Sequence, residues 1–400
     1  MGKEKDIECR HCGGTNPPGS AYCWYCGARL PRLRLSLRGA SLPVRLGVQA
    51  FKWVIALLVV AGIAYGLYHA AERYLLPVFK EEQEEFQVVS TTATTRPPSP
   101  TTTTLPRTER VLPAGADRYS TAITISRLAF PEGAPGLVLV PGDNYQQAMC
   151  SVPLAAAYAG PLLYLPPTGL RTDIKNEIKR LNPTQVFLIN VNRSKTVATE
   201  IGELLEKPTV TRLTGNDAYD TAVLIAQKLA EKVDTIAKAV IVPSDSFVEA
   251  AAVSPLAGAR HWPILLTRRD SDPPSATVQA LKDLKIASAL VVGTRTKVEL
   301  VEVDTQIGAT SHQTAALVAE YAADNGLDFA HTCLASGDEF PDPLAAAAYL
   351  ALERGVLLLA REGELPADTL TVFNAHAAEI RLLDIIALPA LAKELGASGE

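Results

Sequence analysis

Four cysteines crowd the first 26 residues of this 400-residue chain: Cys9-x-x-Cys12 and, ten residues on, Cys23-x-x-Cys26. Each Cys-x-x-Cys turn brings two thiolates to one point, and two such turns complete a closed tetrahedron around zinc. Gly13, Gly14 and Gly27 follow the second cysteines, where the chain must turn tightly. A redox pair would come singly on a βαβ unit. His11 lies inside the first turn, but four thiolates already fill a structural site. The other two cysteines, Cys150 and Cys333, are far apart and read as buried small residues. A second set of polar residues recurs downstream. Asp143, Asp245 and Asp338 each stand just past an apolar run, where open α/β sheets take ligands or where a carboxylate stabilises a turn. Asp117, Asp217 and Thr310 read as helix N-caps. Arg118 is not needed for a cap, so it makes either an inter-module packing or salt-bridge contact or a ligand contact. Asn144 with Gln147, and Ser246 with Glu249, have capping-box spacing.

These residues sit in four kinds of sequence. Residues 1–30 are turn-rich. Residues 31–50 carry Arg32, Arg34, Arg38 and Arg45 without an acid. Residues 51–71, FKWVIALLVVAGIAYGLYHAA, form an apolar run of about 30 Å as a helix, enough to cross a hydrocarbon core. The segment starts too late and runs too long for a signal peptide. The basic excess before it predicts a plasma-membrane span with a cytoplasmic N-terminus and an extracellular C-terminal region. Lipid is its partner, and Gly62 and Gly66 would let two copies pair as a homodimer. Residues 72–110 contain the threonine- and proline-rich run STTATTRPPSPTTTTLPR, an extended tether.

Beyond the tether, apolar runs of four to six residues alternate with helix-length segments: 137–140, 161–165, 186–189, 239–242, 263–266, 289–292, 331–335, 356–360 and 381–386. This pattern predicts parallel strands buried on both faces, hence an α/β region with crossover helices. The pattern repeats with a period of roughly 95 residues, the size of a small domain. Gly115, Gly215 and Gly308 are each followed six residues later by Thr-Ala. Each copy then runs through an Asp to a Pro-Leu-Ala element, at 153–155, 255–257 and, displaced, 343–345. The modules are drawn at 111–208, 209–303 and 304–400.

The GxDRYxTA opening, the GDN-type loop, the Pro-Leu-Ala helix and the PILL strand resemble the cell wall binding repeat of type 2, over about residues 111–395. The first module is similarly preceded by a segment that resembles a bacterial zinc ribbon. The resemblance implies three tandem Rossmann-like parallel-sheet modules in a pseudo-threefold arrangement that binds anionic cell wall polymer without covalent attachment. The motifs depart from the family pattern in places. Asp-Arg-Tyr becomes Asp217-Ala218-Tyr219 and Thr310-Ser311-His312, and the Gly-Gly after the last strand becomes Asn190-Val191 and Gly293-Thr294. Arg118, Asp143, Asp245 and Asp338, by their positions beside caps and strand ends, are the candidate ligand-binding residues.

A net charge of −5 gives the chain no field suited to nucleic acid. HExxH, GxSxG, Walker and GxGxxG motifs are all missing, and His261, His312, His331 and His376 are scattered singly, so no enzyme is expected. The expectation is a membrane-anchored surface protein that links membrane to wall. The rival is a transmembrane interaction or signalling protein, with a cytosolic zinc ribbon and an extracellular region that binds a protein or small ligand.

Overall fold

The computed structural model describes residues 7–8, 15–16, 107–191, 194–298, 301–308 and 311–397. Cys9, Cys12, Cys23 and Cys26, the apolar segment 51–71 with Gly62 and Gly66, and the tether up to residue 106 lie outside the described residues. Among the described residues no helix is long and apolar enough to cross a membrane. At the N-terminus, β1 (Ile7–Glu8) pairs antiparallel with β2 (Thr15–Asn16).

The repeat region is a cycle of three four-stranded parallel sheets. The first uses β4 (Gly136–Pro141), β5 (Leu162–Leu165), β6 (Gln185–Ile189) and β7 (Thr209–Leu213) in the order β5-β4-β6-β7. The second uses β8 (Lys238–Pro243), β9 (Ile264–Thr267), β10 (Ser288–Val292) and β11 (Glu302–Ile307) in the order β9-β8-β10-β11. The third uses β12 (Asp328–Ser336), β13 (Gly355–Ala360) and β14 (Leu382–Ile386), and its fourth strand is β3 (Thr108–Leu112) from the start of the region. All nine apolar runs are strands, and β4, β6, β8 and β10 are almost wholly buried, as strands covered on both faces must be.

The modules interlock across the sequence boundaries. β7 completes the first sheet yet leads into the second module, and β11 does the same for the second sheet and third module. β3 closes the cycle, pairing Thr108–Leu112 with Leu382–Ile386. Residues 108–110, counted with the tether from the sequence, are therefore strand. Their place is secured by Arg110, whose guanidinium grips Asp384 through two hydrogen bonds of 2.7 and 2.8 Å. Asp384 is fully buried and also bonds His331 Nε2 and the Tyr349 hydroxyl, each at 2.8 Å. Burial pushes its pKa up, but hydrogen bonds from His331, Arg110 and Tyr349 outweigh that and hold it low. Strand register sets Asp384 opposite Arg110 where the other sheets have Phe187 opposite Thr211 and Leu290 opposite Thr305.

Helices cover the sheets: α1 (Arg118–Ala129), α2 (Tyr145–Ala157), α3 (Thr172–Leu181) and α4 (Ser194–Leu204), then α5 (Ala218–Ala230), α6 (Val248–Ala259) and α7 (Ser275–Asp283), then α8 (Ser311–Asp324), α9 (Pro341–Glu353), α10 (Ala367–His376) and α11 (Pro389–Glu394). α2, α6 and α9 are apolar nearly all round, one from each module, and they pack on one another at the centre. Small residues permit the approach: a Cβ added to Gly258 would lie 2.6 Å from Ala351 Cβ and 3.2 Å from Ala156 Cβ. At the other end of these helices Tyr145, Phe247 and Phe340 meet pairwise, with ring centroids 6.0–6.4 Å apart. In each helix eleven positions separate the aromatic from the small residue. That register puts Ala348-Tyr349-Leu350, not Pro343-Leu344-Ala345, in line with the other two Pro-Leu-Ala elements. Pro343 sits in the first turn of α9, where a missing N–H costs nothing.

Candidate functional site

The aromatic end of the central helices is also where the first strand of each sheet finishes. Asp143, Asp245 and Asp338 follow β4, β8 and β12 there, in three modules but at one end of the cycle, and all three are exposed. Asp245 is held 3.1 Å from Arg269. Asp143 and Asp338 form no ion pair among the described residues. The loop of Asp338 is instead braced by Ser336, whose hydroxyl accepts the Asp338 and Glu339 N–H groups at 3.1 Å.

Arg118 opens α1 and crosses to the third module. Its guanidinium donates to the Gly142 carbonyl at 2.5 Å, lies 5.5 Å from the Phe340 ring centroid and stands 3.9 Å from the Glu339 carboxylate. This is an inter-module packing and ion-pair contact, with about a third of the side chain still exposed. Asp342, beneath it, is pushed up to about 6 by burial and by the negative Glu339, against the pull of Arg118.

Asp117 and Asp217 cap α1 and α5, accepting the N–H groups of Ser120 at 2.9 Å and Asp220 at 2.8 Å. No sequence pattern marks what lies over them. Tyr119 and Tyr219, the second residues of these helices, carry arginines from the loops after β5 and β9: Arg171 at 5.0 Å and Arg268 at 6.0 Å from the ring centroids. The tyrosines were visible in the repeated opening, but their partners come from distant, non-repeating loops. Arg171 also binds Asp117 and Asp173, and its hydrogen bond holds Asp117 down at about 2.

The strand order reverses between β4 and β6 in the first module and between β8 and β10 in the second, and such switch points are where open α/β sheets form crevices. In the second, Arg269 fills the crevice, donating to the Gly293 carbonyl at 2.6 Å and pairing with fully buried Glu249 at 3.1 Å. Glu249 also holds the Ser246 hydroxyl, so the capping box expected at α6 is replaced by this cluster and Phe247 takes the N-cap position without a side-chain bond. In the first module half of the expected capping box is present: Asn144 accepts the Gln147 N–H at 3.2 Å, but the Asn144 N–H goes to the Pro141 carbonyl instead of to Gln147. Gln147 itself is buried with its Oε1 unpartnered. The third strands all end in a left-handed residue, Asn190, Gly293 or Ala387, so the backbone turn persists where glycine does not. This end thus offers carboxylates, arginines, half-buried aromatics and amides on loops fixed by buried strands. It can form many weak polar contacts to an extended ligand. Among the described residues no cluster of histidine, cysteine or acid has metal-binding geometry.

Residues 113–200 and 212–299 each match the family model for cell wall binding domain 2 (CWB2). Among curated proteins, the chain is 29% identical over 252 residues to N-acetylmuramoyl-L-alanine amidase LytC of Bacillus subtilis (strain 168), covering 61% of this chain and 49% of that protein. It is 30% identical over 160 residues to the amidase enhancer of the same strain, covering 40% of this chain and 22% of that one. The chain thus spans half or less of either relative. The fold resembles Cwp6 from Clostridium difficile (TM-score 0.62, 22% identity, 74% of this chain and 48% of that one) and Cwp8 from the same organism (TM-score 0.58, 20% identity, 72% and 52%).

Proposed function

Since the chain carries two copies of cell wall binding domain 2, we propose that residues 107–397 attach non-covalently to an anionic cell wall polymer. The observation that carries this reading is the pair of family matches at 113–200 and 212–299. The third module adds to it: it shares the sheet order and the central helix of the other two, and the cycle cannot close without it. The role is attachment rather than bond cleavage. Loops at the aromatic end, with Asp143, Asp245, Asp338 and Arg118, form the contact surface. Many weak contacts spread over three modules suit a repeating ligand, because each added contact becomes intramolecular.

In the same reading, residues 51–71 hold the chain in the plasma membrane and residues 1–30 form a cytoplasmic zinc ribbon through Cys9, Cys12, Cys23 and Cys26. The antiparallel pairing of Ile7–Glu8 with Thr15–Asn16, which precede Cys9 and follow Cys12 in the sequence, supports the ribbon. The tether of about 18 residues reaches roughly 55 Å if extended, so one molecule joins membrane to wall. The deciding experiment is co-sedimentation of the chain with purified walls before and after removal of their phosphate-linked polymers. Binding that disappears on stripping is expected; failure to bind either preparation would sink the proposal. For the ribbon, one zinc per chain, lost when Cys23 and Cys26 are replaced by serine, is the expected result of metal analysis, and a metal-free chain would refute it.

A further inference from the structure

The central helices also have an opposite end, where the strands begin, and there the seams between modules are not alike. Tyr158 and Arg260 are the C-caps of α2 and α6 and hold matching positions. Between the second and third modules Arg260 reaches across and donates to the Asn325 carbonyl at 2.9 Å, closing that seam. Between the first and second modules Tyr158 faces Lys232, whose ammonium stands 5.2 Å from its ring centroid. A cavity of about 420 Å³ remains open here, within the range of roughly 300–1,000 Å³ typical of small-molecule sites.

Four polar side chains line it: Tyr158, Thr184, Gln185 and Lys232. Among the described residues the Lys232 ammonium has no carboxylate partner, and no side-chain hydrogen bond engages the Gln185 carboxamide or the Tyr158 hydroxyl. The Thr184 hydroxyl donates to the Pro135 carbonyl at 3.2 Å and keeps its lone pairs free. No carboxylate lines the cavity. The charge on Lys232 is felt beyond the cavity: burial lowers the pKa of His261, and Lys232 lowers it further.

We propose that this cavity binds the oxyanion of an acidic or phosphorylated sugar. Lys232 supplies the charge, the Gln185 amide and Tyr158 hydroxyl donate to the oxyanion, and Thr184 accepts from a sugar hydroxyl. The site lies at the end of the cycle remote from Asp143, Asp245 and Asp338, and it stands independently of the wall-binding reading. The test is calorimetric titration of the full chain with glucose 1-phosphate and, separately, glucuronate. Saturable binding of at least one is expected, and which one binds identifies the group. Losing a charged hydrogen-bond partner should weaken binding about tenfold or more in Lys232→Met, while Lys232→Arg retains it. Lys232 is exposed, so neither change threatens the fold. Absence of saturable binding with both sugars, or equal affinity in Lys232→Met, overturns the inference. Chain that sediments with walls but takes up neither sugar refutes this site alone. Chain that binds a sugar at Lys232 but not walls refutes the wall reading alone.

Discussion

Replacing Arg110 with threonine should be among the most damaging single changes in the repeat region. Arg110 supplies two of the hydrogen bonds to a carboxylate that has no exposed surface, and it is the one arginine or lysine paired with Asp384 among the described residues. Removing one member of a buried pair leaves an uncompensated charge, typically about 3–5 kcal/mol. The Arg110 side chain is one-third exposed, which favours the lower end, about 3 kcal/mol. The molecule contains its own control. The second module has leucine and threonine at these two places, so Arg110→Thr combined with Asp384→Leu should recover most of the loss. His331 and Tyr349 would still bond each other at 2.8 Å. Urea denaturation followed by circular dichroism measures both variants. A loss below about 1 kcal/mol for Arg110→Thr, or a double variant no more stable than the single, would refute the reasoning.

Three further substitutions have expected outcomes. Gly258→Ala should destabilise by about 1 kcal/mol, because over-packing of about 1–3 kcal/mol against Ala351 outweighs the helix-propensity gain of about 1 kcal/mol. Gly202→Ala in α4, with nothing within 4 Å of the added carbon, should instead stabilise slightly, so the same substitution changes sign between two helices in one melting series. Asp342, with its folded-state pKa raised to about 6, gives stability that is full below its unfolded pKa near 4 and is lost as pH rises through 6. Asp342→Asn should therefore gain about 2 kcal/mol at pH 7 and flatten the stability change between pH 7 and 5; an unchanged pH profile would count against a buried, destabilised carboxylate.

The strands that the sequence revealed are those buried on both faces, such as LVLV at 137–140, where apolar runs are compulsory. β3, β7 and β11 escaped because polar residues interrupt them: TERVL, TVTRL and EVDTQI hold no apolar run, whereas the opposite edge strands β5, β9 and β13 are buried throughout and almost wholly apolar. Their partners lie in another repeat, or for β3 at the far end of the chain, so no local pattern could announce the interlocking. The caps at Asp117, Asp217 and Asn144 were legible because a cap is set by residues three apart. The Arg269–Glu249–Asp245 cluster was not, since its members come from separate loops. The position of Arg118 was foreseen as an alternative, but its partners Phe340 and Glu339 follow only from the packing of α9 against the first module. The cavity beside Lys232 had no sequence signal, being made of residues from the ends of four elements far apart in the chain.

The closing strand also decides how the region bears load. Tension in the chain ahead of residue 107 enters the fold through β3, which lies parallel to β14 over five paired residues. With the loops at the carboxyl ends of the strands held fast, that pull runs along the strand, so its backbone bonds are sheared together rather than unzipped one by one. Arg110 is in the middle of the strand, riveted to Asp384. The fastener that shuts the cycle is the same part through which it would be hauled. An extension experiment that pulls from the N-terminal side should therefore meet its highest resistance before any module opens, and that peak should fall when Arg110 is replaced.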